Sequence, residues 1–81
     1  TSRVYFGAWV RLESETGDIV EYHIVGPDES DINKGFISID SPLARALLKR
    51  AAEDEVTVSL PRGQTVYTVL EVRYAPFDDG G

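Results

Sequence analysis

The chain has 81 residues, 42% of them hydrophobic and 10% aromatic, which suits one small globular core and leaves no room for a second. With no cysteine and a single histidine it lacks disulfides, thiolate metal sites and His clusters, and its net charge of −6 gives no counterion-release energy for direct DNA or RNA binding. No apolar run approaches the roughly 18 residues that span a bilayer and no signal-peptide pattern is visible, so the composition predicts a cytoplasmic protein.

The stretch from Arg3 to Glu13 alternates with period two, setting Val4, Phe6, Ala8, Val10 and Leu12 on one face and Arg3, Trp9, Arg11 and Glu13 on the other. That period predicts a half-buried strand. Glu15-Thr16-Gly17-Asp18 supplies turn chemistry, and Ile19 to Val25 is a second β-rich run with Val20, Tyr22 and Ile24 inward, so the two form a hairpin. A polar loop follows from Gly26 to Asp31, with Pro27 unable to donate to a ladder. Phe36-Ile37-Ser38-Ile39 reads as a third strand.

The best-defined local signal lies next. Ser41 is a good N-cap and Pro42 fits the first helical position, where a missing N–H costs nothing. Asp40 sits just ahead, at the positive end of the helix dipole. Leu43, Ala44, Leu47 and Leu48 make an apolar face, with Arg45, Lys49 and Arg50 elsewhere, which predicts a helix of two to three turns. After the charged connection Glu53-Asp54-Glu55, Val56, Val58 and Leu60 alternate with Thr57 and Ser59 as a fourth strand. Pro61-Arg62-Gly63 has the signature of a type I turn closed by a left-handed glycine. A last strand is expected from Gln64 to Tyr74, with Val66, Leu70 and Val72 inward and a tail from Ala75 to Gly81. The predicted class is α+β: an antiparallel sheet packed on one short helix, in the order β-β-β-α-β-β.

No catalytic constellation emerges. His23 is predicted on the outer face of its strand as an exposed, structural histidine. The seven acids between Glu13 and Asp31 lack calcium-loop spacing and read as a solvated face; Glu53-Asp54-Glu55 reads as a solvated turn. There is no phosphate-binding glycine loop and no nucleophile elbow around Ser41. Neither metal nor cofactor is expected. Tyr5, Trp9 and Tyr67 share outward phases, as either a surface aromatic patch or packing beneath a loop. The residues alone predict a small binding module.

Three blocks go further: Val4-Tyr5-Phe6-Gly7-Ala8-Trp9-Val10, Tyr22-His23-Ile24-Val25-Gly26-Pro27-Asp28-Glu29, and the run from Phe36 through Asp40-Ser41-Pro42-Leu43-Ala44-Arg45 to Lys49. In that order they resemble the C-terminal domain of the bacterial transcript cleavage factors GreA and GreB, most closely the GreB branch, from Arg3 to Tyr74. The resemblance departs at Glu53, where many relatives carry Gly before the Asp-Glu pair. It implies an FKBP-like fold. It also implies a division of labour in which an N-terminal coiled coil enters the secondary channel of RNA polymerase and presents acids that hold magnesium for hydrolysis of backtracked RNA. The C-terminal domain anchors the factor to a coiled coil at the channel rim. No coiled-coil heptads occur in this chain, so the anchoring half alone is implied. The implied polymerase-binding residues are Asp40, Ser41 and Pro42, with Leu43 and Arg45 extending the patch. Two alternatives stand beside this: a stand-alone Gre-like regulator resembling Rnk, and an FKBP-like peptidyl-prolyl isomerase, which would need a deep aromatic-lined pocket.

Overall fold

The computed structural model describes residues 2–77. Five strands and one helix follow in chain order: β1 (Trp9–Ser14), β2 (Ile19–Val25), β3 (Phe36–Ser38), α1 (Pro42–Leu47), β4 (Glu55–Leu60) and β5 (Gly63–Arg73). The expected β-β-β-α-β-β order is present. The strands form one curled sheet in the order β3-β2-β1-β5-β4, with α1 packed against it. Four strands pair antiparallel as expected, whereas β3 joins β2 in parallel, with Ile24 opposite Ile37. The reason is the connection: two short 3-10 turns, Pro27–Glu29 and Ile32–Lys34, carry the chain back alongside β2 to the level of His23 before β3 begins. Gly35 makes the return possible. It adopts φ +77°, and a Cβ there would lie 2.8 Å from the Glu21 carbonyl oxygen.

The β1–β2 hairpin forms as predicted, with Trp9 opposite His23 and Glu13 opposite Ile19, and Gly17 at φ +86° in its turn. The first strand, however, begins at Trp9 and not at Arg3. Backbone bonds tie Val4 to Lys49 and Arg50, and a turn from Tyr5 to Ala8 then intervenes, closed by Ala8 N–H on the Tyr5 carbonyl (3.0 Å) with Gly7 at φ +87°. That turn breaks the alternation and turns Phe6 out to 60% exposure, while Val4 and Ala8 remain buried.

Strand β5 shows a second phase change. Arg11 faces Glu71 and Leu12 faces Val69, so Leu70 is an extra residue with no β1 partner. Such a bulge reverses the inward set along a strand. Tyr67 and Val69 face the core before it and Val72 after it, while Leu70, expected inward, is 38% exposed. Val66 is only half-buried. On β4, Val56 and Val58 are buried as predicted and Leu60 is exposed beside the Pro61-Arg62 turn.

The core gathers Val4, Val10, Leu12, Ile24, Ile37, Ala44, Leu47, Val56, Val58 and Val69, with no polar side chain buried among the described residues. Of the expected tail, Phe77 packs its ring on the guanidinium groups of Arg11 (4.4 Å) and Arg73 (4.9 Å), while 78–81 lie outside the described residues.

Candidate docking surface

The start of α1 is built by local chemistry. Ser41 has extended backbone angles and its hydroxyl accepts the Ala44 N–H at 3.1 Å, satisfying one of the helix's orphan donors. Pro42 follows at the first helical position. Upstream, Ser38 stiffens the approach: its hydroxyl accepts the Asp40 N–H (3.1 Å) and its carbonyl accepts the Ser41 N–H (2.9 Å). Ala44 and Leu47 anchor the helix in the core.

The five residues singled out therefore divide. Asp40, Pro42 and Arg45 are exposed and project from a rigid corner. Ser41 spends its hydroxyl on the cap, and Leu43 is half-buried against the core. The helix itself is six residues, shorter than the expected two to three turns. Its continuation is diverted: Lys49 turns to φ +71°, and its N–H donates to the Val4 carbonyl (2.8 Å) while Arg50 accepts from Val4 N–H (2.8 Å). Pairing with the N-terminal segment outcompetes a further helical turn.

Tyr67 packs against the core and so leaves the outward set proposed with Tyr5 and Trp9. Trp9 stacks on His23 instead, with ring centroids 3.8 Å apart and planes 9° from parallel; Phe36 meets both rings edge-on. His23 is thus half-buried and not an exposed histidine, and burial holds its imidazole below the usual range against opposing pulls from the Gly7 backbone and Glu29. The readable signal was the hairpin register, which places Trp9 and His23 side by side on the outer face.

The acids are dispersed. Glu21 and Glu71 both pair with Arg11, at 2.7 and 3.3 Å, Asp54 caps the Ala51 N–H (2.8 Å), and Glu15 accepts from Val66 N–H (3.2 Å). No group of three metal-ligating side chains converges among the described residues. No cavity opens among them, and no helix is long and apolar enough to cross a membrane.

Comparison with known proteins agrees with the fold. A family profile described as "Transcription elongation factor, GreA/GreB, C-term" matches residues 1–74. The chain is 53% identical over 77 residues to the transcription elongation factor GreB of Yersinia pestis, covering 95% of this chain and 45% of that protein. It therefore spans about half the length of such relatives. Among solved structures, the transcription factor Gfh1 superposes with a TM-score of 0.81 at 25% identity, over 89% of this chain and 48% of that one. The GreA/GreB factor of Nitrosomonas europaea gives 0.73 at 30% identity, over 88% and 60%. A profile match across nearly the whole chain, half-identical GreB relatives and a common fold together make this chain a member of the GreA/GreB transcription elongation factor family, carrying its GreB-like C-terminal domain.

Proposed function

We propose that this domain anchors a GreB-like elongation factor to RNA polymerase, docking on the coiled coil at the secondary-channel rim through Asp40, Ser41, Pro42, Leu43 and Arg45. The observation that carries this reading is the preorganised helix start: Asp40 and Pro42 are exposed on a corner that the Ser41–Ala44 cap and the two Ser38 bonds already hold in place. Docking a fixed corner forfeits little conformational entropy. Asp40 offers a carboxylate to a basic partner group, Pro42 a rigid apolar contact, and Arg45 a cation one helical turn on. The domain acts in the cytoplasm without touching DNA directly, and transcript cleavage itself belongs to the rest of the factor. The lack of a cavity among the described residues favours a docking surface over an isomerase pocket.

Thermal melting beside a polymerase-binding titration tests the proposal. Asp40→Ala should cost the fold at most about 0.3–1 kcal/mol, the scale of a helix-dipole interaction. Binding should fall by roughly 30-fold, equivalent to about 2 kcal/mol at an interface hot spot. Pro42→Ala should stay folded and also weaken binding. The control is Glu15→Gln in the distant hairpin turn, because glutamine keeps an acceptor for Val66 N–H while removing the same charge. Asp40→Ala binding like the parent would refute the docking site. The chain alone should compete with a full-length Gre factor without stimulating cleavage in a backtracked complex.

A further inference from the structure

The outer face of the sheet holds a titratable group that the docking reading does not use. His23 lies between Trp9 on β1 and Phe36 on β3, with centroids 3.8 and 5.2 Å away. Its Nδ1 is buried without a hydrogen-bond partner. Neutral imidazole with its proton on Nε2 leaves only a lone pair at that buried position. Protonation adds an N–H at that buried position and puts a charge in a half-dry aromatic sandwich, a cost that the Gly7 backbone offsets only in part.

The two sides of the sandwich are not equally firm. Trp9 belongs to β1, which is paired on both sides by β2 and β5. Phe36 belongs to β3, a three-residue strand at the sheet edge, paired to β2 alone. Its remaining backbone support is the Asp31–Phe36 bridge and the Ile39 N–H on the Val25 carbonyl (2.8 Å). Strain at His23 is therefore relieved by moving Phe36.

We propose that His23 is an acid-operated latch on the β3 edge: neutral, it seats Phe36 and holds the strand; doubly protonated, it unseats Phe36 and loosens β3 together with the segment leading to Asp40. The charged surroundings leave burial in control. Glu29, from the turn after β2, favours the cation, and Lys34 places its ammonium 6.0 Å from the Phe36 ring centre. On the same face Glu21 is engaged by Arg11, and Arg73, opposite Trp9, by Glu71. With the folded histidine below its free value of 6.5, the unfolded chain takes up the proton first as pH falls. The latch is fully closed above 6.5, and its stability is lost between 6.5 and the lower folded value.

The single tryptophan and single histidine make the test direct. Trp9 emission is titrated from pH 8 to 5 on the 81-residue chain, beside amide exchange of residues 31–41 corrected for intrinsic pH dependence. The expected result is a one-proton change in emission with a midpoint below 6.5, with β3 amides opening at least about tenfold more often at the acid end. His23→Phe keeps a stacking ring without a proton and should abolish both changes; His23→Gln serves equally if the phenylalanine variant does not fold. Flat emission across the range, a transition that persists in the folded variant, or a transition without faster β3 exchange overturns the latch. Neither readout involves polymerase, so the latch and the docking site succeed or fail separately.

Discussion

Glu53 offers a test of backbone strain in isolation from packing. It occupies the third position of the turn Ala51–Asp54, which is closed by Asp54 N–H on the Ala51 carbonyl (3.1 Å), and it adopts φ +77°. A positive φ at that position is the mark of a type II turn, where glycine is favoured. The conformation is enforced from outside, because Glu53 N–H donates to the Val69 carbonyl (2.7 Å) and Val69 N–H to the Asp54 carbonyl (2.9 Å). A left-handed conformation costs an L-residue about 1–2 kcal/mol. Glycine removes that cost but has about 0.5–1 kcal/mol more backbone entropy to lose on folding. Glu53 is exposed, so truncation exposes no core. Glu53→Gly should therefore stabilise by roughly 0.5–1 kcal/mol, raising Tm by about 2–8 °C for a domain of this size. Glu53→Ala is the necessary companion: it relieves the same charge repulsion within Glu53-Asp54-Glu55 but keeps a Cβ, and should leave Tm nearly unchanged. Calorimetric melting of the three proteins decides. Equal gains in both variants would assign the effect to charge, and a glycine variant no more stable than the parent would refute the strain argument.

The Tyr74 hydroxyl donates to the Arg3 carbonyl and accepts the Tyr5 N–H (2.9 Å), so Tyr74→Phe should cost about 0.5–1.5 kcal/mol in urea denaturation and speed amide exchange at Tyr5. Ser41→Ala should cost about 1 kcal/mol by loss of the cap, read by the same assay, and should weaken polymerase binding beyond that by loosening Asp40 and Pro42. Leu47→Ala, at a fully buried helix position, should cost about 2–5 kcal/mol and leave little folded protein at 37 °C.

What the sequence made legible was local. The limits of β2 fall at Ile19 and Val25 as read, because period-two patterning between two turns depends on neighbours only. The Ser41 cap was equally visible, since its hydroxyl reaches Ala44 within the same segment. Features set by distant partners stayed hidden. The extra residue at Leu70 exists only relative to β1, the diversion of Lys49 only relative to Val4, and the parallel course of β3 only through the two turns that return the chain. At the candidate site, the Ser41–Pro42 helix start was readable from its own segment, whereas the Trp9–His23–Phe36 stack required three strands in register.

The central pairing of β1 with β5 also dictates how the domain assembles. It brings Trp9 opposite Arg73, residues from the two ends of the described chain, while β1–β2 and β4–β5 each close over a short turn. The two hairpins can form early and independently, on the roughly 1–10 μs scale of isolated hairpins. Neither is expected to bury Leu12 or Val69 until the other arrives, which makes their mutual docking around α1 the expected rate-determining event. Substitutions along the β1–β5 seam should accordingly slow refolding, whereas changes confined to the outer edge β3 should appear almost wholly in the unfolding rate.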